Sequence, residues 1–110
     1  MDVHSYRMHE AWMLEYAKSH TKFVLKIESI FSQLILDSQI TNKMAFHQFD
    51  AMKKPKRKLV HELAALYGLE GCSYNLIPNR YDTRYAHIYT GDKEVMKLPN
   101  VLLSEALAKI

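Results

Sequence analysis

The stretch that decides the fold spans residues 53 to 70 and reads KKPKRKLVHELAALYGLE. Pro55 suits the first turn of a helix because its missing N–H has no partner there in any case, and Gly68 suits the left-handed residue that follows a helix. With ~100° of rotation per residue, the apolar side chains between them gather on one arc. The stretch therefore predicts an amphipathic helix from about Lys54 to Tyr67.

The polar arc of this helix holds the candidate binding residues. Arg57 and His61 are four residues apart, so their side chains should emerge one turn apart on an exposed face, within reach of a common ligand. Lys54 projects nearly in line with them, and Lys58 lies on the same arc. These four residues form the candidate site on the helix.

Positive charge is concentrated in the second half of the sequence. Residues 1–50 carry five Lys/Arg against six Asp/Glu, a sum of −1, whereas residues 51–110 carry ten against six, a sum of +4. Half of those ten cations fall within residues 53–58. Such a run indicates a polyanionic partner. It is also typical of a nuclear localisation signal, or of an ordinary solvated helix start.

Upstream of the basic run, apolar residues at helical spacing predict two further helices. The first runs from Tyr6 to about Lys18, and Ser19–Thr21 reads as a break with a new N-cap. The second carries a broad apolar stripe made of Phe23, Val24, Ile27, Ile30, Phe31, Leu34 and Ile35. We expect residues 1–40 to form a helical extension that packs on a domain of residues 41–110.

Strand-like segments flank the central helix. Residues 44–49 alternate well enough for a short strand, and residues 71–77 and 80–90 read as a hairpin with Pro78 and Asn79 in its turn. A short helix is expected after Asn100. The prediction is an α+β domain, in which a small three-stranded mixed or antiparallel sheet packs against helices.

The central stretch also resembles a known family. Residues 56–70, followed by Ser73-Tyr74 and by Pro78-Asn79-Arg80, resemble the R-3-H domain, in the form found near the C-terminus of the X-box-binding zinc-finger repressors of the NF-X family. The similarity extends from about Tyr16 to Thr90. It implies that an Arg and a His on a helix, with an Arg that opens the last strand, contact single-stranded DNA or RNA. In this sequence either Arg80 or Arg84 can fill the strand position, and Arg80 has the better motif match.

These observations give a functional hypothesis. We expect a sequence-tolerant single-strand-binding module that uses Arg57, His61, Lys54, Lys58 and Arg80. Neutral His61 would hydrogen-bond or stack rather than carry charge. Further stacking platforms could come from Tyr74, Tyr81, Tyr85 and Tyr89, of which we expect half or more to pack in the core or hairpin.

Two alternatives remain open. In the first, His61 packs on the sheet edge and Arg57 neutralises a nearby carboxylate such as Glu62 or Asp82. In the second, the chain is a protein-interaction module whose N-terminal helices dock a partner through exposed Trp12 and Phe23. Burial of the apolar stripe would remove the motivation for the second alternative.

Several function classes are not expected. The chain has six scattered His and only Cys72 as a thiol, so neither a zinc site nor an internal disulfide is expected. There is no Gly-rich phosphate loop and no catalytic constellation, so we expect no enzyme and no cofactor. No apolar run approaches bilayer-spanning length. We expect a monomer that belongs to a larger transcription or RNA-regulatory protein in the nucleus, with the cytoplasm as a further location.

Overall fold

The computed structural model describes residues 9–75, 83–91 and 95–108. Three helices and a strand precede the hairpin strands, and a short helix follows them. In chain order the elements are α1 Ala11–Lys18, α2 Thr21–Thr41, β1 Phe46–Gln48, α3 Lys54–Leu66, β2 Glu70–Tyr74, β3 Tyr85–Tyr89 and α4 Leu103–Ala108. The predicted α+β class is confirmed. No described helix combines the length and apolarity needed to cross a bilayer.

Helix α3 begins and ends close to where the sequence predicts. Pro55 lies in its first turn and Tyr67 caps its C-terminus. Gly68 follows with φ of 72°, the left-handed conformation that favours glycine. A Cβ at this position would overlap the carbonyl group of Val95 and lie 2.9 Å from Cα of Met96. Gly68 therefore ends the helix and also admits the segment that leads to α4.

The sheet has the strand order β1-β3-β2, and both pairings are antiparallel. The predicted hairpin strands pair from Glu70 opposite Tyr89 to Tyr74 opposite Tyr85. The predicted turn at Pro78 and Asn79 lies outside the described residues. Because side chains alternate along a strand, Ala86 and Ile88 of the central strand β3 are buried against the helices. The neighbours of these two residues point to the opposite face.

One hydrophobic core joins the N-terminal helices to the sheet and to α3. The ring of Phe31 in α2 meets Phe49 edge-on at a centroid distance of 6.3 Å and Tyr67 at 5.3 Å. Helix α4 is attached by a buried carboxylate, since Glu28 Oε2 accepts the N–H of Ser104 at 3.0 Å. Residues from both sides of position 40 therefore share the same interior. Its largest fully buried side chains are Tyr67, Phe31, Met13, Ile27, Leu59, Leu63, Ile88, Leu103, Val24 and Val60.

Candidate nucleic-acid interface

Arg57 does not emerge from an exposed turn. Its side chain is only 7% exposed, and Nη1 donates to the main-chain carbonyl oxygen of Met52 at 2.7 Å. The same carbonyl accepts the N–H of Arg84 at 3.0 Å, in an isolated antiparallel bridge between Met52 and Arg84. The predicted exposure of Arg57 is therefore wrong. Its guanidinium instead links α3 to the chain that enters β3.

The burial of Arg57 shows that the covered part of α3 extends beyond its apolar stripe. On a wheel of ~100° per residue, Arg57 lies only ~20° from Ala64, which is buried. The sheet contacts one side of the helix. Trp12 of α1 contacts the side chain of Lys58, and Phe23 of α2 contacts that of Lys56. The buried arc is consequently wider than the apolar stripe of the sequence.

The side chain of His61, in α3, packs against β2, an edge strand of the sheet. Its Nε2 is 2.6 Å from Oγ of Ser73 in β2, and a Cβ added to Gly71 would lie 3.0 Å from its Nδ1. Burial, and then the charge of Arg57, lower the pKa of His61 from its ordinary value of 6.5. The ring is therefore neutral near pH 7, as expected, and one of its nitrogens remains a hydrogen-bond acceptor. This arrangement agrees with the first alternative, in which His61 packs on the edge of the sheet.

The lysines of the basic run differ in their surroundings. Lys53, Lys54 and Lys58 are exposed, and none forms a salt bridge with an acidic residue of the described part of the chain. The ammonium of Lys58 lies 4.4 Å from the ring centroid of Trp12, and that of Lys56 lies 4.9 Å from Phe23. These cation–π contacts hold the two side chains in place without neutralising them.

Of the two arginines considered for the strand position, Arg84 lies among the described residues. Arg84 is exposed, and its backbone pairs with Met52, directly beside the guanidinium of Arg57. Arg80 lies outside the described residues. Because Met52 lies two residues before α3, its pairing with Arg84 places Arg84 at the same end of the domain as the start of α3.

A groove that the sequence does not predict lies next to the start of α3. Its volume is about 410 Å³, and its lining residues are Tyr16, Ala51, Met52, Lys53, Pro55, Lys56 and Thr83. The ring of Tyr16 stacks on His20 with centroids 4.0 Å apart. Because the lining comes from distant segments of the chain, no local pattern could have predicted it. The groove adds an aromatic wall to the basic surface.

The tyrosines named as stacking platforms lie on the sheet. Tyr74, Tyr85 and Tyr89 are half-buried, and the rings of Tyr74 and Tyr85 stack with centroids 5.8 Å apart. Tyr81 lies outside the described residues. Tyr74 and Tyr85 thus pack against each other across the hairpin strands.

The apolar stripe of the N-terminal helices is only partly buried. Ile27 and Phe31 are completely buried, and Trp12 and Phe23 are half-buried beneath Lys58 and Lys56. Because Trp12 and Phe23 are not fully buried, the protein-interaction alternative stays a prediction. Among the described residues, no three His, Cys, Asp or Glu side chains form a group that could hold a metal ion.

Comparison with known proteins gives one relative of note. No model of a known protein family matches the chain. The chain is similar to the FKBP12-associated protein 1 homolog of Schizosaccharomyces pombe, with 32% identity over 94 residues. The match covers 86% of this chain and 8% of that protein. The chain thus corresponds to a small segment of a much longer relative.

Proposed function

We propose that this chain binds single-stranded nucleic acid, DNA or RNA, with little sequence preference. The observation that carries the proposal is the set of exposed lysines at the start of α3, Lys53, Lys54 and Lys58, with no acidic partner in the described part of the chain. Lysines near phosphates release condensed counterions, which supplies affinity for any sequence. The exposed Arg84 extends this basic surface toward β3.

The position of the lysines on α3 strengthens the argument. The first turn of α3 has no acidic residue, and its N-terminus has no side-chain cap. A helix N-terminus carries partial positive charge, so cations placed there repel both the helix dipole and one another. A phosphate would relieve this repulsion and accept hydrogen bonds from the uncapped N–H groups. The local charge arrangement is thus unfavourable for stability and favourable for an anionic ligand.

The remaining site residues have distinct roles in this proposal. Lys54 and Lys58 contact phosphates. Neutral His61, held by Ser73, offers a hydrogen bond or a ring face to a nucleotide. Arg57 acts as a positioning residue, because its guanidinium fixes the bridge that presents Arg84. Arg80 remains a candidate phosphate contact outside the described residues.

The resemblance of residues 56–70 to the R-3-H domain supports this function. The match to only 8% of a longer relative supports a role as one module of a larger protein. We further propose that this larger protein acts in the nucleus, in transcription or RNA regulation, and that the module itself is a monomer.

Titration of a short labelled poly-dT or poly-U strand, followed by fluorescence anisotropy at several salt concentrations, tests the proposal. We expect dissociation constants of about 10⁻⁴ to 10⁻⁶ M. The slope of log K for association against log salt should be negative, and its magnitude should fall by about 0.7 for each phosphate-contacting lysine removed. The test variants are Lys54→Gln and Lys58→Gln.

The matched control is Lys18→Gln, since Lys18 is exposed but already paired with Glu15 at 3.2 Å. This variant changes the net charge by the same amount and should keep the wild-type slope. The proposal is refuted if the wild type does not bind or if salt has no effect on binding. It is also refuted if the slopes are equal for the variants of Lys54, Lys58 and Lys18.

A further inference from the structure

The sheet has an outer face, which points away from the buried side chains Ala86 and Ile88 of β3. The strand register assigns eight side chains to it. Five of them contain aromatic rings, counting the imidazole of His87. The outer face consists of Phe46, Gln48, Glu70, Cys72, Tyr74, Tyr85, His87 and Tyr89.

The rings of the outer face are held against one another. Phe46, which is 61% exposed, stacks on His87 at a centroid distance of 5.3 Å, and His87 lies 5.8 Å from Tyr89. Tyr74 stacks on Tyr85 at the other end of the face. These rings are therefore ordered before any ligand arrives, which reduces the entropy lost on binding.

A hydrogen bond across the central strand connects the two groups of rings. The hydroxyl of Tyr74 in β2 donates to Oε1 of Gln48 in β1. Gln48 lies directly opposite His87, so the bond joins the stack of Tyr74 and Tyr85 to that of Phe46 and His87. The five rings thus form one continuous surface across three strands.

The composition of the outer face indicates what would bind it. None of its eight side chains is Leu, Ile, Val or Met, whereas a surface that docks an amphipathic helix needs aliphatic side chains of that kind. Rings with polar edges, accompanied by Gln48, suit an unpaired base, which offers a flat π face and hydrogen-bonding edges. The exposed aliphatic residues of α2, Leu25, Leu36 and Ile40, lie on a different element.

Charge at the two ends of the outer face also favours nucleic acid. Lys43 precedes β1 and Arg84 precedes β3, and both are exposed. Because β1 and β3 are antiparallel, these two cations flank opposite ends of the rings. They can contact the phosphates on either side of stacked bases. Glu70 is the single acidic side chain among the eight.

The outer face meets the basic surface of α3 at the edge strand β2. Ser73 contacts His61 on the inner side of that strand, and its neighbours Cys72 and Tyr74 belong to the outer face. A strand that runs past His61 would therefore cross β2 to reach the rings. We propose that unpaired bases of a single-stranded nucleic acid stack on the outer face of the sheet, an inference that rests on the proposed function.

The experiment removes rings without changing charge. Phe46→Leu and Tyr89→Leu should each weaken poly-dT or poly-U binding by roughly 5- to 100-fold, the typical effect of losing a base-stacking ring, and should leave the salt slope unchanged. Ile40→Ala is the matched control, because it removes a 73% exposed apolar side chain from α2; it should bind as wild type.

Cys72 provides an independent readout, since it is the single cysteine of the chain and is exposed on the outer face. Saturating poly-dT should slow its alkylation by a maleimide, and a duplex of the same length, which offers no unpaired bases, should not. Slower alkylation together with weaker binding of Phe46→Leu supports the inference.

The outcomes separate this inference from the proposed function. The inference alone is overturned if the wild type binds with a normal salt slope while the ring variants bind as tightly as the wild type and Cys72 is not protected. No binding by the wild type overturns both. A dimer that dissociates in Phe46→Leu, with oligonucleotide affinity unchanged, shows that a second copy covers the outer face and also overturns the inference.

Discussion

Nη1 of Arg57 lies 2.7 Å from the carbonyl oxygen of Met52, so that a buried guanidinium connects the first turns of α3 to the segment preceding them. Met52 in turn pairs with Arg84 through two main-chain hydrogen bonds of 3.0 Å. The Arg of the Arg-xxx-His motif is thus placed to stabilise the junction of helix and sheet, and the surrounding lysines are left to face solvent.

We predict that Arg57→Ala lowers the free energy of unfolding by about 1.5 to 3 kcal/mol, the usual range for a hydrogen bond from a charged group. Lys54→Ala, one turn earlier and exposed, should change it by less than about 0.5 kcal/mol. Urea denaturation of the two variants checks this difference. Equal stabilities would mean that the Arg57 contact contributes nothing.

Stability should decrease in mild acid because of buried histidines. Burial lowers the pKa of His9, His47 and His61 below 6.5, so the unfolded chain takes up protons before the folded chain does. The free energy of unfolding then rises with pH in this range. The contribution of these three histidines to stability is fully present above pH 6.5, and it is lost as the pH falls toward their lowered pKa values.

His61→Gln can retain a hydrogen bond to Ser73 but does not titrate, so its stability should depend less steeply on pH than that of the wild type. Urea midpoints measured at a series of pH values give both slopes. An unchanged slope in His61→Gln would contradict the assigned pKa direction.

Gly68→Ala should be among the most damaging single substitutions. The left-handed conformation alone costs a side chain about 1 to 2 kcal/mol, and here the added Cβ also meets the backbone of Val95 and Met96, which cannot rotate away. Gly91→Ala is a suitable comparison, because its Cβ would meet only the flexible side chain of Glu70. Thermal denaturation should show a clearly larger loss for Gly68→Ala.

Glu28→Ala should destabilise the attachment of α4. The carboxylate of Glu28 is buried, and its loss leaves the N–H of Ser104 without an acceptor, at a cost of about 1 to 3 kcal/mol. Glu15→Ala removes a carboxylate whose side chain is 79% exposed and should be nearly neutral. Hydrogen exchange in residues 103–108 would localise the effect, and equal protection in both variants would argue against it.

Local signals account for the parts of the fold that the sequence predicts correctly. Pro55 and Gly68 mark the limits of α3 because their conformational preferences act within a single turn. Alternation identifies β1, and pairing in residues 70–89 follows from two strand-like segments close in sequence. Predicting the α+β class requires no knowledge of distant contacts.

The predicted exposure of Arg57 is wrong because the burial of this side chain depends on contacts between different elements of the fold. The periodicity of α3 shows its apolar stripe but not the contacts of the helix with Trp12, Phe23 and the carbonyl oxygen of Met52. The same reason explains why the groove beside Tyr16 and the insertion of β3 between β1 and β2 could not be predicted. Each arises from segments that are far apart in the chain.

The hydrogen bond between Glu28 and Ser104 spans 76 residues, and this separation governs folding during synthesis. At ribosomal rates of ~5 to 20 residues per second, roughly 4 to 15 s pass between the synthesis of the two partners. Throughout that interval the apolar stripe of α2 lacks its contacts with α4. The contact that attaches α4 to α2 can therefore form only after residue 104 has left the exit tunnel.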